Sequence, residues 1–161
     1  FQDLHISKKV KKLLKEDNFK FTINTKFGEV ITQLENYHKT NWLENKYKEL
    51  LLSLKDYKHS NIDFEIMSIE LNDKNTNKLI AAEIGYKIGT TYTSLAGFSS
   101  KDKNYNNWGK LQLVLLCKYL EENSFTFWNL GHPYMQYKFD LGAKTYSRNE
   151  FLERWLKQIQ I

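Results

Sequence analysis

The order of strand-like and helical segments along this chain predicts an α+β fold: an α/β sandwich with a mainly antiparallel sheet flanked by helices. Helical spacing dominates the first third. Three strand-like runs then follow one another with only short turns between them, the pattern of an antiparallel meander. A strong helix, a further strand and a closing helix complete the chain. At 161 residues there is enough chain for one domain with a real core, and 1–161 is read as that domain.

In ISKKVKKLLKED, Ile6, Val10, Leu13 and Leu14 recur at helical spacing behind Ser7, a residue suited to capping a helix N-terminus. FKFTIN alternates as a strand does, and residues 27–37 return to helical spacing through Val30, Ile31 and Leu34. WLENKYKELLLSL is another amphipathic helix. Strands are expected over 62–71, 79–88 and 91–98, the first two joined by the turn-rich DKNTNK. The polar loop SSKDKNYNNWG leads into a helix over 110–122 whose apolar side, with Leu113, Leu116 and Leu120, should face the sheet. FTFWNL is a further strand and a short helical stretch follows it. AKTYS is read as a last strand before the helix NEFLERWLKQI.

With 41% hydrophobic and 27% charged residues the chain reads as globular rather than disordered. A formal charge of +5 admits a polyanionic partner. A single cysteine, Cys117, excludes an internal disulfide framework and a clustered thiolate metal site, and within LQLVLLCKYL it reads as a small core residue. No apolar run approaches the roughly 20 residues of a membrane span and nothing resembles a signal peptide, so a cytoplasmic protein without a membrane partner is expected. No metal-ligand spacing and no serine nucleophile elbow is present, and no cofactor is expected. The chain opens on Phe1 rather than Met, which reads as a trimmed piece of a longer protein.

Three stretches carry chemistry. The first helix presents Lys8, Lys9, Lys11, Lys12 and Lys15 with no acid before Glu16, either a solvated face or a surface for phosphates. The junction NNWGK, residues 106–110, offers backbone N–H groups to an anion or simply begins a helix. A pyrophosphate loop of the kind that binds coenzyme A would carry several glycines, and only Gly109 is there. The stretch FWNLGHPYMQYKFDLGAKTYSR gathers Asn129, His132, Asp140 and Arg148 around two small-residue turns, and a histidine after glycine serves either structure or catalysis.

Taken in order, these segments resemble the leucyl/phenylalanyl-tRNA–protein transferases. LHISKKVKKLLKEDNFKFTINTKFGEVI is similar to that family's basic helix, strand and following helix. Trp42 in TNWLE matches its threonine–tryptophan step, and MSIEL its histidine–serine–aliphatic–glutamate strand, with Met67 in place of the histidine. AAEIGYKIGTTYTSLAGFSS aligns without gaps to its paired pocket strands. NWGKLQL and DLGAKTYSRNEFL match the helix that follows and the Leu-Gly-Ala turn, arginine and closing helix. The resemblance covers nearly the whole chain. It implies an acetyltransferase-like (GNAT) fold without bound acetyl-CoA, and a small N-terminal domain that this chain lacks.

The activity so implied is transfer of an amino acid, leucine or phenylalanine, from aminoacyl-tRNA to the N-terminal α-amine of an acceptor protein or peptide, marking the protein for degradation. Lys8, Lys11, Lys12 and Lys15 would bind the tRNA. Trp42, Glu83, Tyr92, Leu95, Gly97, Leu116 and Leu120 would line the aminoacyl pocket, and Asn129 and His132 would occupy the catalytic positions.

Departures from the family pattern are informative. Asn129 aligns with the Asp of the family's proposed proton relay, and Gly131 or His132 with its Gln; an Asn cannot serve as a carboxylate base. Glu83 stands where the family has a Met. In an otherwise apolar pocket it would favour a cationic substrate side chain, so arginine becomes a candidate for the transferred residue. Alternatively Glu83 points outward or pairs with Lys87. Two rival functions are an acyltransferase using acetyl-CoA and a non-catalytic module that binds tRNA or peptide.

Overall fold

A computed structural model describes residues 1–37, 45–58 and 60–159. Its elements run in the order α1 (Lys8–Glu16), β1 (Phe19–Ile23), α2 (Phe27–Tyr37), α3 (Asn45–Leu54), β2 (Phe64–Asp73), β3 (Leu79–Ile88), β4 (Thr91–Ser99), α4 (Trp108–Glu122), β5 (Phe127–Asn129), α5 (Gln136–Asp140) and α6 (Arg148–Leu156). The five strands form one sheet in sequence order. The first four pair antiparallel, and β5 joins β4 in parallel. This is the expected α+β architecture with a mainly antiparallel sheet.

Each face of the sheet takes its own helices. Phe27, Val30, Ile31 and Leu34 of α2, with Leu51 of α3, pack on Ile66, Ala82, Ile84 and Phe98. On the other face α1 and α4 cover the strands: Val10, Trp108, Leu111 and Val114 meet Leu71 and Ala81, while Leu116 and Leu120 meet Met67, Ile69 and Tyr92. Period-two alternation in β2 divides its side chains between the two layers, as a sheet covered on both sides requires. The expected apolar stripe of α4 is present, with Leu116 and Leu120 fully buried and Leu113 half-buried. Cys117 is a buried free thiol in the same helix.

Local chemistry explains where the elements begin and end. Ser7 caps α1, its hydroxyl accepting from the Val10 N–H at 3.4 Å, and Asp17 closes the helix in the left-handed region at φ 49°. The β2–β3 turn is held by the Asp73 carboxylate, which accepts from the N–H groups of Asn75 and Thr76. The sequence expectation of a strand at AKTYS is corrected. Residues 143–147 run irregularly into the Ser147 cap of α6 and pair with no strand among the described residues. β5 ends the sheet on that side.

Glu70 is fully buried on the α2 face of β2. Its carboxylate accepts from the hydroxyls of Thr22 (2.7 Å), Thr25 (2.8 Å) and Ser68 (2.5 Å), and from the Lys26 N–H at 3.1 Å. The charge thus sits at the first turn of α2, where the helix dipole and unpaired N–H groups favour an anion. Replacing Glu70 with Ala leaves several buried donors unpaired and is expected to cost about 3 kcal/mol or more in urea unfolding. Glu70→Gln, which keeps an acceptor oxygen, should cost clearly less.

Candidate active site

The irregular chain beyond β5 builds a cleft of about 730 Å³ against α6 and the residues leading into α1. Its walls include Asn129, Gly131, His132, Lys138, Lys144 and Arg148. Asn129 folds the loop on itself: its Oδ1 accepts from the Gly131 N–H at 2.9 Å, and Gly131 takes φ 72°, a left-handed value that suits glycine. His132 is exposed, its ring edge-on to Tyr134 with centroids 4.4 Å apart. Its Nδ1 accepts weakly from the Tyr134 N–H at 3.4 Å, so the neutral ring carries its proton on Nε2.

Lys138, which sequence reasoning did not single out, anchors this loop. Although it is only 9% exposed, its ammonium donates to the carbonyls of Leu130 (2.5 Å) and His132 (2.8 Å). Burial pushes its pKa down, while the Glu83 carboxylate pulls the other way. Nothing in YKFDL marks this lysine as different from any surface lysine, because the carbonyls it meets belong to a loop whose path the sequence does not give.

The Leu-Gly-Ala turn has a steric reason. Gly142 takes φ 101° against the backbone of Asp3, where an added Cβ would lie 2.0 Å from the Asp3 carbonyl oxygen. His5 donates its N–H to Leu141 at 3.0 Å beside it, so this turn fastens the lead-in of α1 to the cleft.

The expected pocket residues fall into two groups. Glu83, Tyr92, Leu116 and Leu120 come together, but as interior rather than as cleft wall. Glu83 lies on the α4 face and is buried; its carboxylate accepts from the Tyr92 hydroxyl (2.9 Å), the Ser94 hydroxyl (2.8 Å) and the Gln112 amide (3.5 Å). Desolvation raises its pKa, these hydrogen bonds opposing the shift. Tyr92, buried beside it, is pushed well above the ordinary phenol value, first by burial and then by the Glu83 charge.

The Tyr92 phenol fills the space over Gly85, its oxygen 2.2 Å from where a Cβ would stand. Lys87 pairs with Asp63 at 2.8 Å, not with Glu83. Gly97 lies opposite Glu83 in the β3–β4 register. Leu95 is the extra residue of a bulge, since Ile84 faces Ala96 while Gly85 faces Ser94, and its side chain is 41% exposed. Trp42 lies outside the described residues.

A chain of hydrogen bonds links this interior group to the cleft. The Trp128 indole N–H donates to the Ser94 hydroxyl at 3.0 Å, and that hydroxyl donates to Glu83. Trp128 itself lines the cleft. Lys8, Lys11, Lys12 and Lys15 all lie exposed on α1, and Lys12 meets Glu16 at 3.7 Å.

An antiparallel meander, a helical crossover to a parallel edge strand and a cleft beside that edge are consistent with an acetyltransferase-like fold. The family model for leucyl/phenylalanyl-tRNA protein transferase matches residues 1–156, and the chain belongs to that family of aminoacyltransferases, whose substrates are aminoacyl-tRNA and protein. Comparison with curated proteins gives no match. No helix among the described residues is long and apolar enough to cross a membrane.

Removing the Lys138 ammonium strands two carbonyls and loosens the loop that carries Asn129 and His132. Lys138→Met is therefore expected to lower kcat for aminoacyl transfer by about 10- to 100-fold. The KM for aminoacyl-tRNA should stay within about threefold of wild type, because the lysines of α1 are untouched.

Proposed function

We propose that this chain transfers leucine or phenylalanine from its tRNA to a protein N-terminal α-amine, and that transfer marks the acceptor for degradation. The observation that carries the choice of an apolar residue is the commitment of Glu83. A buried carboxylate already accepting from three side-chain donors, with a phenol filling the space beside it, has little left to offer a guanidinium.

In this reading the amine nitrogen attacks the ester carbonyl, the bond to the ribose oxygen breaks, and the amine proton passes to the departing hydroxyl. The ester is already activated, so placement and oxyanion stabilisation supply much of the rate. Asn129 and His132 then act as donors rather than as bases: the Asn129 Oδ1 is engaged by Gly131, and the His132 proton sits on Nε2. Trp42, Tyr92, Leu95, Gly97, Leu116 and Leu120 keep their place as pocket residues only by the family resemblance.

An acetyl-CoA enzyme is less well supported, because the one glycine at the start of α4 is used for packing. A Cβ on Gly109 would meet the Ser99 side chain at 2.9 Å. A purely binding module is separated from the transferase by turnover itself.

A screen of labelled aminoacyl-tRNAs against peptide acceptors tests the reading. Leucine or phenylalanine should be transferred at least about tenfold better than arginine, and Glu83→Gln should preserve that order. Arginine transfer by the wild type that disappears in Glu83→Met would overturn it.

The uniformly basic face of α1 supports tRNA binding. Replacing Lys8, Lys11, Lys12 and Lys15 together by Ala should weaken tRNA binding by about 100-fold at low salt and flatten its salt dependence. Binding equal to wild type in a filter or anisotropy titration would show the face to be merely solvated.

A further inference from the structure

Phe1 and Trp128 each line the cleft, and each packs against the buried cluster of Met67, Ile69, Tyr92, Leu116 and Leu120. The two rings thus stand where cleft and interior meet, and they are held differently. The Trp128 indole is fixed by its N–H bond to the Ser94 hydroxyl at 3.0 Å, and its backbone is paired opposite Tyr92. Phe1 belongs to no helix or strand. Its carbonyl accepts from the Leu4 N–H at 3.0 Å, while its ring is held by packing. The lead-in behind it is fastened separately, by the Asp3–Lys144 pair at 2.8 Å and by the His5 N–H on Leu141 at 3.0 Å.

The polar groups of the cluster satisfy one another. Tyr92 and Ser94 donate to Glu83, and Trp128 donates to Ser94. What the cluster offers a newcomer is therefore carbon surface. That surface is taken by the partly buried benzyl group of Phe1. An apolar side chain arriving through the cleft meets the same surface, and two groups cannot fill one close-packed space.

We propose that the Phe1 ring is an internal competitor: it fills, in the free protein, the place that the side chain of the incoming aminoacyl group takes during transfer. The ring, not the chain terminus, is the competing group. When it swings out, Tyr92, Leu116 and Leu120 become cleft wall, while Asp3 and His5 keep the lead-in of α1 in place. When it swings back, it covers apolar surface that would otherwise face water. The proposal rests on the transfer reading and names how its apolar site is kept, but it can be tested by binding alone. A competitor seated in about nine molecules of ten weakens apparent affinity about tenfold.

The probe is adenosine bearing phenylalanine in amide linkage at its 3′ position, with the glycyl amide as control. Each is titrated by calorimetry into the 161-residue chain. Phe1→Ala should bind the phenylalanyl amide about tenfold tighter than wild type, and the glycyl amide, which has no side chain to compete, within about twofold. Phe1→Leu, which keeps a smaller apolar group, should fall between, at about threefold. In transfer assays Phe1→Ala should lower the KM for phenylalanyl-tRNA about tenfold and leave kcat within about threefold. Mere loss of core packing would not tighten binding of one amide alone.

Unchanged or weaker binding of the phenylalanyl amide by Phe1→Ala overturns the proposal and makes Phe1 an ordinary packing residue. An equal gain for both amides overturns it too, as does failure of wild type and variants alike to bind. If circular dichroism shows Phe1→Ala to be unfolded, Phe1→Leu decides, and binding equal to wild type overturns the proposal. A selective gain without transfer of any amino acid would leave the competitor standing and bring down the transferase reading instead.

Discussion

The parallel pairing of Thr91, Tyr92 and Thr93 with Phe127, Trp128 and Asn129 is the constraint on which the rest of the molecule depends. Antiparallel neighbours are joined by tight turns, as β3 and β4 are, but a parallel neighbour demands that the chain cross back over the sheet. That crossing is α4, whose 15 residues cover the face left open by α2 and α3. It delivers the chain to the sheet's border, where only three residues of β5 find a partner. Everything after Asn129 is therefore loop and short helix folded beside an open edge, and that is what makes a cleft rather than a filled core.

Polar groups inside the sandwich follow the same geometry. Glu70 and Glu83 are both buried on neighbouring strands but on opposite faces, and their surroundings differ in kind. Glu70 takes backbone and hydroxyl donors at the start of a helix, so its charge is matched by a dipole that the fold supplies anyway. Glu83 takes only side-chain donors, contributed by β4 and α4. The link through Ser94 continues to Trp128 and so reaches β5. One carboxylate thus fixes where a helix begins; the other ties together the strands and helix that surround the parallel pair. The second kind of site depends on more residues being right at once.

Much of this was readable in advance. The period-two runs of β2 to β4 and the 3.6-residue spacing of α2 and α4 follow from two faces that must each be covered, and that demand is written directly in residue order. What could not be read were contacts made by chain far apart in sequence. AKTYS was read as a strand, yet whether a strand forms depends on a partner, and the sheet ends at β5. Leu95 was placed by gapless alignment on a regular strand, while a bulge there leaves it half outside. Glu83 was expected in the aminoacyl pocket, and its partners Ser94 and Gln112 carry no signal until β4 and α4 are laid over it. Lys138 was invisible for the same reason.

These placements bear on how the proposed site, with no carboxylate at position 129, would work. General bases matter most when the nucleophile or leaving group is poor, whereas an aminoacyl ester and an amine need chiefly to be held in line. Holding is costly for a loop with a left-handed glycine and a proline close together, since each ordered residue forfeits backbone entropy of about 1–2 kcal/mol. An ammonium clamped on two of the loop's carbonyls meets that cost once, during folding, instead of at every substrate encounter. Its own burial disfavours the charge, and the Glu83 carboxylate within the sandwich is the group that counters this. The carboxylate that the alignment places in the aminoacyl pocket acts, in the folded chain, on the lysine that anchors the cleft loop.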